Sequence, residues 1–233
     1  MKKEKKTEIF PWKKVFVIAV GVLFIAMMVL SAMGMSWLQS FRTVMANDTV
    51  TIDFTLRDAM GQPILTTDQN LYQTALARGY PYSFLTSPLT VRAGYIGNPA
   101  YTGVQADNYY MSQLGEEIRF GIHGLELDEL DAGVLGMKTG ETKTIHFTFS
   151  DPLTILLAKD EFTAMGGNFS TITIGEPIPM GFSETPIVKG LEEYNSTPTN
   201  AVLRIATVVN KTEDALEVQH RYPSADVTVK EFK

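Results

Sequence analysis

The sequence predicts a strand-rich α+β fold with one short helix, preceded by an apolar N-terminal helix. Strict alternation of apolar and polar residues along 48–58, "DTVTIDFTLRD", indicates a half-buried strand. Leu127, Leu130 and Val134 follow a helical spacing within "LELDELDAGVLGM". The C-terminal residues 201–232 read as three strands separated by two turns. These observations together favour an α+β class over an all-helical or all-strand one.

The N-terminal helix is predicted from an uncharged apolar run, 15–38, of 24 residues. About 20 apolar residues suffice to cross a bilayer as a helix. Six lysines precede the run and only Arg42 follows it closely, so a tail, 1–14, is expected in the cytoplasm. We therefore expect a single-pass anchor in the cell membrane with the C-terminal domain extracellular. A cleaved signal peptide is the alternative, with a shorter apolar core of about 7–15 residues.

The charge and cysteine content exclude several classes of function. Without the six lysines and two glutamates that precede the apolar run, the chain keeps 14 basic and 24 acidic residues, a net charge of −10. Such a field repels nucleic acid, so no nucleic-acid partner is expected. The chain has no cysteine, which excludes disulfides, thiol catalysis and thiolate metal sites. Four N-x-S/T sequons, at Asn47, Asn168, Asn195 and Asn210, are compatible with an outer surface.

Further elements are predicted between these landmarks. Gly61 is expected at the positive-φ position of a turn after the first strand. The segment 68–115 has no clear periodicity and is expected to form a small excursion, with "LTVRAGYI" as a strand. A second strand is predicted over 116–124. After the helix, "TKTIHFTF" places Ile145 and Phe147 on one face of a further strand, in the core.

The unit "LELDELDAGVLGMKTGETKTIHFTF", with "DTVTIDFTLRDAMGQPILTT", resembles the FKBP-type peptidyl-prolyl isomerases. This chain and that family share the alternating strand, the glycine turn and a short helix that ends in GM-x-x-G-E. The resemblance implies a curved antiparallel sheet around one short helix, with insertions. Met137 would seat the helix end in the sheet, and Gly140 would permit the turn. The expected organisation is a basic tail 1–14, a transmembrane helix 15–38, a linker 39–47, an FKBP-like core 48–154 with an insertion at 68–115, an insert-in-flap-like segment 155–225 and a closing strand 226–233.

The resemblance also implies prolyl cis–trans isomerisation of exported, proline-containing polypeptide clients. Rotation about the X-Pro amide meets a barrier of roughly 20 kcal/mol, and a dry pocket that favours the twisted amide lowers it without metal or cofactor. No cofactor is therefore expected. The family's pocket maps onto these residues: Phe54, Leu127 and Leu130 as catalytic positions, and Ile64, Leu65, Phe120 and Leu153 as further pocket positions.

Two departures from the family bear on catalysis. Ile64 and Leu65 stand where the family usually has Phe-Asp, and Leu153 stands where relatives place a flap tyrosine. The pocket would lack polar groups to orient a substrate. An FKBP-like chaperone or binding module that is catalytically weak or inactive is thus the alternative to an isomerase. A purely structural surface protein is a third reading.

The remaining titratable residues favour no other enzyme. His123, His146 and His220 lie far apart in sequence, and His146 falls on the polar face of its strand. The acidic residues of the helix could supply paired carboxylates for glycoside hydrolysis. A solvated helix start, where the helix dipole favours negative charge, explains them better. These residues are Asp128, Glu129 and Asp131.

Overall fold

The computed structural model describes residues 12–32, 42–112, 118–149, 154–183 and 201–233. The chain divides into two compact units, Met1–Arg42 and Thr43–Lys233. The first contains helix α1, Trp12–Ala32, which covers much of the apolar run 15–38. Among the described residues, no helix combines the length and the apolar character needed to cross a bilayer. The predicted membrane anchor and its orientation stay predictions.

The second unit consists of twelve strands and several short helices within the described ranges. The helices are α2 Gln69–Ala77, α3 Tyr109–Ser112, α4 Gly124–Gly133 and α5 Lys159–Ala164. The strands are β1 Thr49–Arg57, β2 Pro63–Thr66, β3 Phe84–Thr86, β4 Leu89–Arg92, β5 Tyr101–Asp107, β6 Ile118–His123, β7 Thr142–His146, β8 Thr154–Ala158, β9 Pro177–Ser183, β10 Ala201–Lys211, β11 Ala215–Gln219 and β12 Ser224–Phe232. The α+β class is therefore confirmed.

The strands form one mixed sheet in the order β7-β12-β1-β2-β3-β5-β6-β10-β11-β8, with β4 beside β1 and β9 beside β10. Most neighbours are antiparallel, while β2–β3 and β6–β10 are parallel. The β6–β10 contact consists of one registered pair, Leu203 with Phe120. The sheet is thus narrow at this point, and each side of it carries a hydrophobic cluster of its own.

The larger cluster lies around β1, β12 and α4. The alternation predicted for β1 is confirmed, because Val50, Ile52 and Phe54 are buried. Leu130 and Val134 of the predicted helical stripe pack in the same cluster. The smaller cluster draws all its buried members from 157–218, including Phe162, Val208 and Leu216.

The end of α4 has the geometry that its sequence predicts. Met137 is buried and its carbonyl accepts the Val44 N–H at 2.8 Å. Gly136 and Gly140 have φ of +77° and +80°, values that L side chains rarely adopt. The Gly140 N–H then donates to the Val229 carbonyl at 2.7 Å, which carries the chain into the sheet beside β12. Gly61, at φ +75°, also confirms its predicted turn.

The segment 68–115 departs most from expectation. The strand predicted in "LTVRAGYI" is confirmed as β4, but β3, β4 and β5 join the main sheet and form no separate excursion. Helix α2 was not predicted. It begins where Asp68 Oδ1 accepts the N–H groups of Asn70 and Leu71, at 2.8 and 3.1 Å. The expectation of one short helix is therefore wrong. The helix was missed because the polar sequence of this segment shows only a weak helical periodicity.

Candidate binding site

Helix α4 is held at its first turn by its own capping residues. The Leu125 N–H donates to His123 Nδ1 at 3.1 Å. In return, the His123 N–H donates to Glu126 Oε2 at 2.9 Å. This reciprocal arrangement is a capping box with histidine as the N-cap. It fixes the entry of the chain from β6 into α4 and orients the Glu126 carboxylate.

Glu126 also forms a buried ion pair with Arg204 of β10. The guanidinium donates to both carboxylate oxygens, at 2.6 and 3.0 Å, and both side chains are fully buried. Arg204 further donates to the carbonyls of Gly121 and His220, and the Tyr222 N–H donates to Glu126 at 2.9 Å. Burial alone would lower the pKa of Arg204, but the adjacent carboxylate outweighs it and the pKa is raised. The pair thus ties the start of α4 to β10 and to the segment before β12.

The structure brings the predicted pocket residues together in the larger hydrophobic cluster. The three catalytic positions, Phe54, Leu127 and Leu130, are 2%, 6% and 0% exposed. The pocket positions Ile64, Leu65 and Phe120 are fully buried, and Leu153 lies outside the described residues. Their grouping agrees with one site, but their side chains lie in the core. Their functional roles stay predictions.

Aromatic side chains from distant segments fill the space around these positions. Phe84 of β3 pairs in register with Leu65 and lies 5.2 Å from the Phe120 ring, centroid to centroid. Phe120 in turn stacks on Tyr222 at 6.3 Å. Burial raises the pKa of the Tyr222 hydroxyl, which donates to the Ile205 carbonyl. Phe84, Phe120 and Tyr222 therefore form a continuous aromatic group within the cluster that contains the predicted pocket positions.

An open cavity lies beside the helix, between α4 and β4. It measures about 380 Å³, and Leu127 is the predicted catalytic residue that borders it. We call it the β4–α4 groove. Apolar side chains of Leu89 and Val91 contribute to its surface, and Tyr95 and Thr102 stand on other sides. Its lining residues are Thr49, Leu89, Thr90, Val91, Arg92, Tyr95, Asn98, Thr102, Leu127 and Asp131.

A polar network holds the loop that forms one wall of this groove. Asp131 is buried, and its carboxylate accepts the Arg92 N–H at 2.9 Å and Asn98 Nδ2 at 2.8 Å. Asp128 Oδ1 accepts the N–H groups of Gly97 and Asn98 at 3.1 Å and Asn98 Nδ2 at 2.8 Å. Burial raises the pKa of Asp131 in spite of these hydrogen bonds. The loop is thus fixed to α4.

The expectation of a solvated helix start is wrong for the acidic residues of α4. Asp131 is buried, Asp128 binds the loop, and Glu129 Oε1 accepts the N–H and the hydroxyl of Thr148 at 3.1 and 2.8 Å. Each carboxylate therefore has a structural partner. Asp128 and Asp131 converge on the side-chain amide of Asn98, whose Nδ2 donates to both carboxylates at 2.8 Å, whereas Glu129 binds a different segment at Thr148. The two converging carboxylates therefore hold a loop amide between them.

Two other cavities lie away from the groove. One, of about 400 Å³, sits beside α2 and includes Phe54, Arg57 and Asp226 in its lining. Arg57 and Asp226 form a partly exposed ion pair there at 2.7 Å. The other, of about 340 Å³, lies in the smaller cluster beside Phe162 and Ile178. In the part of the chain that the structure describes, no group of three or more His, Asp or Glu side chains could hold a metal ion.

Comparisons with models of known protein families and with curated proteins find no match to this chain. The groove and the ion pair therefore have to be interpreted from their own geometry.

Sequence reasoning missed the residues that shape this region. Arg204 had a signal, since a single charge within the apolar strand "AVLRIATVV" requires a buried partner. Its partner was not identifiable, because "LELDELD" offers four acidic residues within one short helix. Asn98 and Tyr95 lie in a segment without helical or strand periodicity. No sequence pattern there indicated that these residues would line a groove.

Proposed function

We propose that residues 43–233 form an FKBP-like module that binds polypeptide segments and has little or no prolyl isomerase activity. The observation that carries this proposal is the burial of the pocket positions: Phe54, Leu127 and Leu130 are at most 6% exposed. Catalysis of prolyl rotation requires that the proline ring enter a dry pocket. Phe54 and Leu127 border two different cavities and Leu130 is in the lining of neither, so the three positions do not share a pocket that a proline ring could enter.

The arrangement of the sheet supports the FKBP-like part of the proposal. The resemblance implies a closing strand that returns to the sheet of the first strand, and a short helix packed on that sheet. In agreement, β12 lies between β1 and β7, and α4 packs in the cluster they share. The turn after α4, with Met137 buried and Gly140 at positive φ, also agrees.

The chemistry of the pocket positions supports weak catalysis. Ile64 and Leu65 replace the usual Phe-Asp, so the carboxylate that the family has at this position is missing. The ring of Phe84 lies beside Leu65 in the sheet and contacts Phe120. A ligand would have to displace these rings, at the cost of well-packed apolar contacts.

A protease-coupled assay with a proline tetrapeptide tests the catalytic part, using the full chain in detergent micelles. We expect a rate within two-fold of the uncatalysed one. An aggregation assay with an unfolded client tests the binding part, and we expect suppression at a few equivalents of the chain. Absence of suppression, together with an uncatalysed rate, would leave the structural surface protein as the better description.

An active isomerase is the second candidate. The observation that favours it is the open groove beside Leu127, whose volume of about 380 Å³ exceeds that of a proline ring. If the groove were the pocket, isomerisation would accelerate at least ten-fold in the same assay. Filling the groove by Thr102→Trp would then abolish the acceleration, whereas Leu156→Ala, at an exposed position on β8, would not.

The extracellular location is part of the proposal and rests on the sequence. The apolar run 15–38 with lysines before it supports an anchor whose C-terminal unit faces outward. Carbonate extraction of membranes from expressing cells tests the anchor. Protease treatment of intact cells tests the orientation, and we expect loss of the C-terminal unit with survival of the tail 1–14.

A further inference from the structure

We propose that the β4–α4 groove binds an extended polypeptide, which adds to the open edge of β4 as a strand and places one apolar side chain in the groove. This proposal rests on the proposed function in one respect: both take the ligand to be a polypeptide. The assignment of the site rests on geometry of its own. The β4–α4 groove lies apart from the buried pocket positions and allows a binding mode that they do not.

The edge of β4 is the first observation. β4 pairs with β1 on one side, and among the described strands none pairs with its other side. The Arg92 N–H points away from β1, because it donates to Asp131 at 2.9 Å. In an antiparallel ladder, residues two apart direct their peptide groups to the same side. The N–H and C=O of Thr90 therefore face away from β1 as well.

Thr90 is also accessible. Its side chain is exposed, and it lines the groove. The neighbouring outward positions at Arg92 are already used, since its N–H donates to Asp131 and its carbonyl accepts the Tyr95 N–H at 3.0 Å. A peptide would consequently gain two main-chain hydrogen bonds, both with Thr90. Main-chain pairing at an unprotected edge is a known mode of peptide recognition.

The groove supplies a place for one side chain beside that pairing. Its volume of about 380 Å³ accommodates a single aliphatic or aromatic side chain. Leu89, Val91 and Leu127 provide apolar contacts. Tyr95 and Ile96 are exposed at the loop, where they can cover a bound residue. The preferred central residue is therefore apolar.

The charge of the surroundings selects the flanking residues. Asp131 borders the groove on the α4 side, and the Arg92 guanidinium, which also borders it and keeps its positive charge, donates to Asn47 Oδ1 at 2.9 Å and lies over the Tyr95 ring. The chain after the apolar run carries a net charge of −10. Charge complementarity thus favours a segment with lysine or arginine near the apolar residue over one with acidic residues.

Fluorescence anisotropy on the full chain in detergent micelles tests the site. The probe is a labelled nonapeptide of alternating Thr and Val with a central Leu and Lys at both ends. Thr90→Pro removes the outward N–H without disturbing the ladder to β1, since proline is tolerated at an edge. We expect it to weaken binding at least ten-fold. The matched variant Thr90→Val keeps the N–H and should bind within two-fold of wild type.

A modified peptide gives a measurement that does not depend on a protein variant. A central Leu whose side chain contacts Leu89 and Val91 directs its own N–H away from β4, so the N–H groups that can bond Thr90 belong to its two neighbours. N-methylation of both Thr residues beside the central Leu removes these N–H groups, and we expect at least ten-fold weaker binding. Replacement of both Lys by Glu should weaken binding at least five-fold at low salt. Equal binding of the N-methylated peptide, unchanged binding to Thr90→Pro, or no binding at 1 mM peptide would each overturn the proposal.

The aggregation assay separates the two proposals. If wild type suppresses aggregation while the nonapeptide does not bind through Thr90, the module binds clients elsewhere and this site is wrong. If the nonapeptide binds through Thr90 but aggregation is not suppressed, the site is correct and the chaperone-like role is wrong. Failure of both measurements would reject both.

Discussion

Arg204 and Glu126 form a bidentate ion pair in which both side chains are fully buried. The two residues are 78 positions apart and come from β10 and α4. Their pairing connects the larger hydrophobic cluster, which contains α4, with the strand that carries the smaller one. A charge buried without a partner is costly, so this contact restricts how β10 can lie against α4.

Loss of one partner of this pair should destabilise the domain strongly. Glu126→Leu leaves the Arg204 guanidinium buried without its carboxylate, and we expect a loss of about 3–5 kcal/mol in the free energy of unfolding. The double variant Glu126→Leu/Arg204→Met should recover part of that loss, because no charge is then buried, although the backbone groups that the pair binds at Gly121, His220 and Tyr222 lose their partners. Urea denaturation followed by circular dichroism measures both.

The control for this prediction is the Arg57–Asp226 pair, whose side chains are 28% and 32% exposed. Arg57→Ala should cost only about 0–1 kcal/mol, because solvent screens that pair. If Glu126→Leu cost no more than Arg57→Ala, the strong coupling inferred for the buried pair would be contradicted.

His220 should make stability depend on pH. Burial, and then the charges of Arg204 and Arg221, lower the pKa of His220 to about 4. Between pH 6.5 and 4 the unfolded chain binds a proton at this residue and the folded chain does not. The free energy of unfolding therefore falls as the pH is lowered through this window, by up to about 3 kcal/mol.

The variant His220→Gln isolates this contribution from those of other groups. The loss of stability between pH 7 and pH 4 should be smaller in the variant than in wild type, measured by urea denaturation at both values. Asp131, whose raised pKa acts in the opposite direction, contributes equally to both proteins. His146→Gln, at an exposed position, serves as the control. Identical pH dependence of wild type and His220→Gln would refute the assignment.

The local elements were predictable because they follow from short-range patterns. Alternation placed Val50 and Ile52 in the core, and the glycines of the turns, Gly61 and Gly140, have the positive φ that their positions required. Such features depend on neighbours in sequence. The same holds for Met137, which is buried where the helix meets the sheet.

Whether the predicted pocket is open or filled by side chains was not predictable from the same patterns. An apolar stripe shows which face of α4 is turned inward, but it does not show whether that face meets a cavity or other side chains. Phe84 and Tyr222, whose rings pack on Phe120 in the cluster that contains Leu130, come from segments far from α4 in sequence. The segment around Phe84 has no periodicity, so its contribution to the core had no local signal.

The close approach of backbone segments at the start of α4 makes a specific prediction for Gly124. A Cβ there would overlap the Pro99 carbonyl oxygen and lie 2.9 Å from that of Asn98. Both are backbone atoms of the loop that Asp128 holds, so they cannot move aside at low cost. Gly124→Ala should lower the free energy of unfolding by about 1–3 kcal/mol.

Gly181→Ala is the matched control for that substitution, since a Cβ at Gly181 in β9 meets no atom within 4 Å. We expect its effect to stay within about 0.5 kcal/mol. Chemical denaturation of the two variants side by side measures the difference. Equal stabilities would mean that the loop at Pro99 does not approach α4 as closely as the structure places it.

Phe84 should be the residue whose removal opens the buried region around the pocket positions. Its side chain is fully buried between Leu65 and Phe120. Phe84→Ala removes its apolar contacts and leaves a cavity, so we expect a loss of about 3–5 kcal/mol in the free energy of unfolding. An apolar cavity of this kind stays dry and accepts small apolar ligands. Saturating benzene should therefore stabilise Phe84→Ala and leave wild type unchanged, as measured by thermal unfolding.

Leu156→Ala, at an exposed position, should change stability by less than about 0.5 kcal/mol. A loss below about 1 kcal/mol at Phe84, without stabilisation by benzene, would mean that its ring does not fill the space beside Leu65, and the pocket positions would then be open to a substrate.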